Sequence, residues 1–245
     1  MRVWVTIESP RRIKLPLGHN HAVQAFIYKL LSTEFRNFLH DNGFSAGNRK
    51  MKLFTFSRLY GRFYRQGSWL VYDPPVTLCI SSPVERFVKE VTNGLIRNSK
   101  LNLLGNELKV SSLNFPKKPK FSNEVTCKTL SPITVYSTLT TGDGRKKTYY
   151  YSPYEEEFSL IISQNLARKA SILYGRNING QVKIMLEHAS KPRENIILFK
   201  NTVIKGWTGT FVLKGNKKLI EAGYEAGLGN KNPEGFGMIE VVEHA

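Results

Sequence analysis

At 245 residues the chain has room for one large domain or two of ordinary size. Hydrophobic residues make up 41% and aromatics 11%, enough to bury real cores and to exclude a disordered chain. The 36 Lys and Arg against 19 acids leave a net charge of +17, which calls for a polyanion, either nucleic acid or an anionic membrane. The membrane is the poorer fit. No apolar run approaches the roughly 18 residues that a spanning helix needs, and residues 1–10 read as a strand rather than a signal peptide. Cys79 and Cys127 lie far apart in apolar, strand-like surroundings without zinc spacing. They are expected to be reduced core residues of a cytoplasmic protein.

In chain order, Val3, Val5 and Ile7 alternate as a first strand, and Pro16-Leu-Gly18 breaks before a helix. Val23, Phe26, Ile27, Leu30 and Leu31 fall at helical spacing over 22–31. Ser32 and Thr33 are placed to cap a second helix, whose apolar side is Phe35, Phe38 and Leu39. A polar loop over 41–49 leads into a strand over 52–57. Tyr60, Arg62, Phe63, Tyr64 and Arg65 crowd together, and two further strands follow through 69–72 and 76–81. Ser82-Pro-Val-Glu85 reads as a capped helix start, and that helix buries Val84, Phe87, Val88, Val91 and Leu95. A strand over 107–113 ends at a linker, Pro116-Lys-Lys-Pro-Lys120.

The second half opens with strands over 125–129 and 133–138. A turn and strand over 142–151 mix Arg145, Lys146 and Lys147 with Tyr149, Tyr150 and Tyr151. Ser152-Pro-Tyr-Glu155 predicts a capping box, with Glu155, Glu156 and Glu157 favouring the start of a helix that runs to Tyr174-Gly175. Strands over 182–186, 196–199 and 206–213 precede a short helix, which Gly223 is expected to end in a left-handed cap. Then come glycines 227, 229, 235 and 237 and a strand over 238–242. The expectation is an α+β chain of two tandem ferredoxin-like (RRM-like, βαββαβ) modules, 1–118 and 119–245, with a C-terminal glycine-rich loop and no residue-level repeat between them.

That loop runs helix, glycines, strand. Nucleotide-binding glycine loops run the other way, from a strand into a helix whose N-terminus takes the phosphate, and no G-x-x-x-x-G-K-[ST] is present. What is left is a backbone stripped of side chains, able to approach a bulky partner closely, with Lys231 in its middle. The histidines at 19, 21, 40, 188 and 244 show no zincin spacing, and no carboxylates cluster as in a two-metal nuclease. Tyr28 and His40 would stand about 18 Å apart and some 120° around one straight helix. A break at Ser32-Thr33 lets them face one cleft, and Lys52 heads the next strand after a loop that carries Arg49 and Lys50. The alternative is a core tyrosine, a capping histidine and a solvated lysine. The segments 60–65 and 145–151 have the makings of an RNA path, with Arg62, Arg65, Arg145 and Lys147 for phosphates and rings for unstacked bases.

The glycine pattern G-L-G, five residues, G-F-G at a C-terminus resembles the signature of the RAMP superfamily of CRISPR-associated RNA-binding proteins. Within it the chain resembles the endoribonuclease that cuts CRISPR repeat RNA, the family numbered six among the Cas proteins. The likeness extends in order through Gln24-Ala-Phe-Ile-Tyr28, Phe38-Leu-His40, Lys52-Leu-Phe-Thr-Phe-Ser57 and Leu130-Ser-Pro-Ile133 to the loop. It implies that Tyr28, His40 and Lys52 are catalytic, and that Gly227, Gly229, Lys231, Gly235 and Gly237 bind RNA. It further implies attack by the RNA's own 2′-hydroxyl, giving 2′,3′-cyclic phosphate and 5′-hydroxyl ends without metal or cofactor. The partner implied is repeat RNA, precursor and processed, with handover to an effector complex possible for a monomer or homodimer. A non-cutting RAMP subunit that holds guide RNA is the second reading. Which of Tyr28 and His40 is base and which is acid stays open at this level.

Overall fold

The computed structural model describes residues 1–242 apart from Asn48, Thr141 and Ala189, so His244 lies outside the described residues. The elements are β1 (Arg2–Glu8), β2 (Ile13–Pro16), α1 (Asn20–Lys29), α2 (Thr33–Asn37) and a π-helical turn (Phe38–Asn42). There follow β3 (Phe44–Ala46), β4 (Arg49–Met51), β5 (Thr55–Phe56), β6 (Tyr60–Gln66), β7 (Trp69–Ser81), α3 (Glu85–Arg97), β8 (Leu101–Leu103) and β9 (Asn106–Asn114). The second half holds β10 (Glu124–Thr129), β11 (Tyr136–Thr140), β12 (Lys146–Tyr150), α4 (Glu156–Tyr174), β13 (Val182–Leu186), β14 (Arg193–Phe199), β15 (Thr202–Thr208), β16 (Thr210–Gly215), α5 (Lys217–Ala226) and β17 (Ile239–Val241).

The two halves share one topology. In the first, β6, β7, β1 and β9 are successive antiparallel neighbours; in the second, β13, β16, β10 and β17 are. Each is the βαββαβ order with the third strand beside the first, the second outside the third and the fourth on the first strand's other edge. The helices follow from apolar stripes at three- and four-residue spacing. α1 buries Ala22, Val23, Phe26 and Ile27, and α3 buries Phe87, Val88, Val91 and Leu95. α4 buries Phe158, Ile162, Leu166 and Ala170, and α5 buries Leu219, Ile220 and Tyr224. Each half carries its own apolar core. Among the described residues no helix is long and apolar enough to cross a membrane.

Several local expectations are corrected by long-range pairing. The stretch 69–81 is one strand rather than two, because β7 is lined on one edge by β1 and β2 and on the other by β5 and β6. The strand expected over 52–57 shrinks to Thr55–Phe56, since Leu53 turns to φ +49° just before it. The strand expected over 206–213 is two strands in two sheets, and β14 and β15 form a two-stranded hairpin. Ser32 caps α2 as expected, accepting from Phe35 N at 3.3 Å. Ser82 does not cap α3: its hydroxyl accepts from Val84 N and donates to Leu53 O, and the helix starts at Glu85. At α4 half of the capping box forms, the Glu155 carboxylate accepting from Ser152 N at 2.6 Å.

The halves are pinned together by polar contacts of great sequence separation. Arg2, 5% exposed, donates to Tyr224 O, Ile239 O and Glu240, with its guanidinium 3.7 Å from the centre of the Tyr224 ring. Lys118, in the expected linker, is ion-paired with Glu221 and Glu225. Cys79 and Cys127 are buried and unpaired with each other.

Candidate active site and nucleic-acid interface

The chain breaks after α1, and α2 with its π-turn brings residues 38–42 back toward the β3–β4 hairpin. The turn closes with Gly43 N donating to Phe38 O at 2.7 Å, and Phe38 packs between Phe35 and Phe44. His40 projects from this turn with 76% of its side chain exposed, its Nδ1 at 2.7 Å from Asp41 Oδ1. Lys50 donates to Asp41 O at 3.0 Å, which draws β4 against the turn. Lys52, two residues on, places its Nζ 5.6 Å from the centre of the Tyr28 ring. Burial lowers the Lys52 pKa, partly offset by the charges of Glu234 and Asp41. Tyr28 packs edge-on to Phe54, and burial pushes its phenol up to about 12. The Tyr28 hydroxyl is covered and has no hydrogen-bond partner among the described residues.

So Lys52 and Tyr28 meet, and His40 sits on the turn whose Asp41 reaches Lys52 electrostatically. The three differ in access: His40 stands in solvent, Lys52 is half-buried, and the Tyr28 hydroxyl is sealed.

The glycine loop is not a bare surface. Gly223 does not end its helix but lies inside α5, where a side chain would meet Leu228 and Leu166; the helix ends at Gly227. Beyond it every glycine of the loop is buried. A Cβ on Gly229 would lie 2.4 Å from Thr134 O, and on Gly235 2.5 Å from the Phe56 ring. On Gly237, at φ +77°, it would lie 2.0 Å from Leu228 O. The side chains are missing because the chain's own atoms occupy their places. Asn232 ties the loop from within, its Nδ2 donating to Leu228 O and Phe236 O. The first half holds the loop from outside through Asn20 to Glu234 O, Gln24 to Pro233 O and Thr55 to Phe236 O.

Lys52 and the loop, read apart in the sequence, face one cavity of about 260 Å³ between the halves. Lys50 and Lys52 line it from the first half, Lys231 and Tyr136 from the second. Lys231 pairs with Glu234 at 3.1 Å and lies 5.8 Å from the centre of the Tyr136 ring. Asn165 and Lys169 line the cavity from α4, 6% and 3% exposed. Lys169 donates to Gly227 O at 2.6 Å, Gly229 O at 3.4 Å and Asn232 Oδ1 at 2.7 Å, and burial lowers its pKa to about 7. Neither residue belongs to the motifs from which site residues were expected. The signal was there: 165 and 169 continue the spacing of Phe158, Ile162 and Leu166, so two polar residues stand in a buried stripe.

The basic-aromatic segments divide. Arg62 and Arg65 lie on β6, all of which is exposed, including the rings of Tyr60, Phe63 and Tyr64. Arg65 donates to Gly67 O, and Phe63 packs on Tyr72. On the β11–β12 hairpin Lys147 is exposed opposite Leu139, whereas Arg145 bonds Asp143 in the turn.

Known proteins are similar to this chain over nearly its whole length. The CRISPR-associated endoribonuclease Cas6 1 of Methanocaldococcus jannaschii is 29% identical, over 99% of this chain and 93% of that one. The CRISPR-associated endoribonuclease Cas6 of Pyrococcus furiosus is 28% identical, over 96% and 86%. A solved structure of a CRISPR associated protein Cas6 superposes at a TM-score of 0.80 with 28% identity, covering 99% of both chains. Residues 115–241 match the family model for the C-terminal part of CRISPR associated protein Cas6, and with over half its length inside that match the chain belongs to the Cas6 family.

Proposed function

We propose that this chain is an endoribonuclease that cuts CRISPR repeat precursor RNA into guide RNAs, with Tyr28, His40 and Lys52 as its catalytic set. The observation that carries the reading is the Lys52 ammonium set over Tyr28, beside the turn bearing His40 and at the rim of a cationic cavity. The relatives named as Cas6 endoribonucleases support the substrate class. Residues 1–118 then carry the chemistry and 119–245 the loop. Handover of the product to an effector complex, by a monomer or homodimer, belongs to the same proposal.

RNA carries its nucleophile, the 2′-hydroxyl beside the scissile phosphate. The Asp41 carboxylate at His40 Nδ1 favours the tautomer protonated there, leaving Nε2 to take the 2′-hydroxyl proton. The 2′-oxygen bonds to phosphorus as the P–O5′ bond breaks, and the 5′-oxygen must then gain a proton. A phenol with a pKa of about 12 stays protonated at neutral pH, so Tyr28 suits the donor's part better than the base's. The long Lys52 side chain swings from the ring onto the phosphate, where its ammonium offsets developing charge, and Tyr28 donates once its covered hydroxyl is opened to the RNA.

Repeat RNA incubated with the protein in EDTA should be cut once per repeat, leaving a 2′,3′-cyclic phosphate and a 5′-hydroxyl. A 2′-deoxy nucleotide before the cut should abolish cleavage. His40→Ala should lose about 10²–10⁴-fold in single-turnover rate while binding RNA nearly as well. A 5′-bridging phosphorothiolate, whose sulfur leaves without needing a proton, should restore Tyr28→Phe and not His40→Ala. The opposite pattern would exchange the two roles. RNA bound tightly but never cut would favour the second reading, a subunit that only holds RNA, which the covered Tyr28 hydroxyl supports.

A further inference from the structure

The α4 side of the interdomain cavity carries polar groups that the catalytic set does not use. Asn165 is 6% exposed on the inner face of α4, and its Oδ1 is covered and has no hydrogen-bond partner among the described residues. Its stripe neighbours Ile162 and Leu166 are fully buried, so a leucine at 165 would continue the stripe and leave no orphan acceptor. The adjacent Lys169 does not answer it, because its ammonium is committed to Gly227 O, Gly229 O and Asn232 Oδ1. The volume, about 260 Å³, lies below the ~300 Å³ at which small-molecule pockets begin and suits a single ring system. Lys50, Lys52 and Lys231 stand at its rim with Tyr136 as an aromatic wall, and Glu234 is held by Lys231.

A primary amide offers an acceptor and a donor side by side. Its complement is a nucleobase edge on which an N–H adjoins an acceptor. We propose that Asn165 turns its amide into this cavity and reads one unpaired base of the bound RNA, seated beside Tyr136 while the adjoining phosphates lie on the rim lysines. The proposal rests on the RNA-cutting function and names a specificity-determining residue for it.

The test uses the full chain and the source organism's own repeat RNA, made uncleavable by 2′-deoxyribose at the cut nucleotide. Single abasic nucleotides are placed in turn within three positions of the cut, and Kd is measured for the wild type and Asn165→Ala. In the wild type, removing one particular base should weaken binding about five- to hundredfold, the worth of one bidentate base contact. Asn165→Ala should bind intact RNA more weakly by a similar factor. It should be indifferent to base removal at that position while keeping its losses elsewhere. If Asn165→Ala melts at much lower temperature, Asn165→Leu, which fills the stripe, replaces it. The same abasic profile in wild type and variant, or no sensitive position, would overturn the proposal and leave the cavity to water. Cleavage of unmodified repeat RNA by the wild type is followed in parallel. Cutting with a flat profile removes only the base subsite, whereas a coupled position without cutting removes the nuclease and keeps the subsite.

Discussion

Strand β6 and the glycine loop stand at opposite extremes of exposure. Every residue of Tyr60–Gln66 is exposed, cations and rings alike, whereas all four glycines from 227 to 237 are buried against the chain itself. The two also differ in what they touch. β6 hangs on β7 as an outer strand, while the loop is bonded to α1, β5 and α4 from both halves of the molecule. A glycine-rich segment is commonly read as a surface that yields to a partner. Here the absent side chains let backbone from distant parts of the chain converge, and the side chains that remain, Lys231 and its neighbours, line the cavity.

The first way to break that comparison is Gly237→Ala. At φ +77° with a Cβ 2.0 Å from a carbonyl oxygen, the substitution adds strain to a clash with backbone that cannot swing away. We expect about 4 kcal/mol of lost stability in denaturant or thermal melts, among the larger single-site effects. A variant that melts like the wild type but binds RNA poorly would make the loop a contact surface after all.

Lys169→Met sharpens the same point from below. It keeps the stem of the side chain and removes the donor from Gly227 O, Gly229 O and Asn232, for an expected loss of about 3 kcal/mol. The sign with pH follows from the lowered pKa. Folded Lys169 releases its proton near pH 7, and in the unfolded chain it does so near the ordinary 10.5. Between these values the unfolded chain binds more protons, so this group makes stability rise with pH across that window, by at most about 1.4 kcal/mol per pH unit. Stability measured from pH 7 to 10 should rise more steeply for the wild type than for Lys169→Met. Parallel curves would mean that Lys169 stays charged beneath the loop.

The smallest effect on folding is expected at the exposed end. Arg62→Ala with Arg65→Ala should leave the melt within about 0.5 kcal/mol. RNA affinity should fall, with the salt slope of log K reduced by about 2, one for each phosphate no longer neutralised. Cleavage at saturating protein should hardly move. An unchanged salt slope would take β6 out of the RNA path and leave the cavity rim as the main binding surface.

Local pattern carried much of this protein. Alternation at Val3, Val5 and Ile7, stripes at three- and four-residue spacing in α1, α3, α4 and α5, and the Ser32 cap are decided by neighbours within a turn or two. They suffice for the element order and hence for the tandem βαββαβ topology. The nearness of Lys52 to Tyr28 was legible only through motif likeness, and the sealing of the Tyr28 hydroxyl was not legible at all. Tertiary structure alone decided what fills the space beside each glycine, since Gly229 meets Thr134 and Gly235 meets Phe56 from far along the chain. It also decided that Gly223 packs inside α5 rather than ending it, because α4 and Leu228 supply the contact. The polar pair Asn165 and Lys169 showed in the sequence as a break in a buried stripe. That one of them braces the loop and the other faces a cavity follows from how the two halves are docked, through contacts such as Arg2 on Tyr224 that no local spacing encodes.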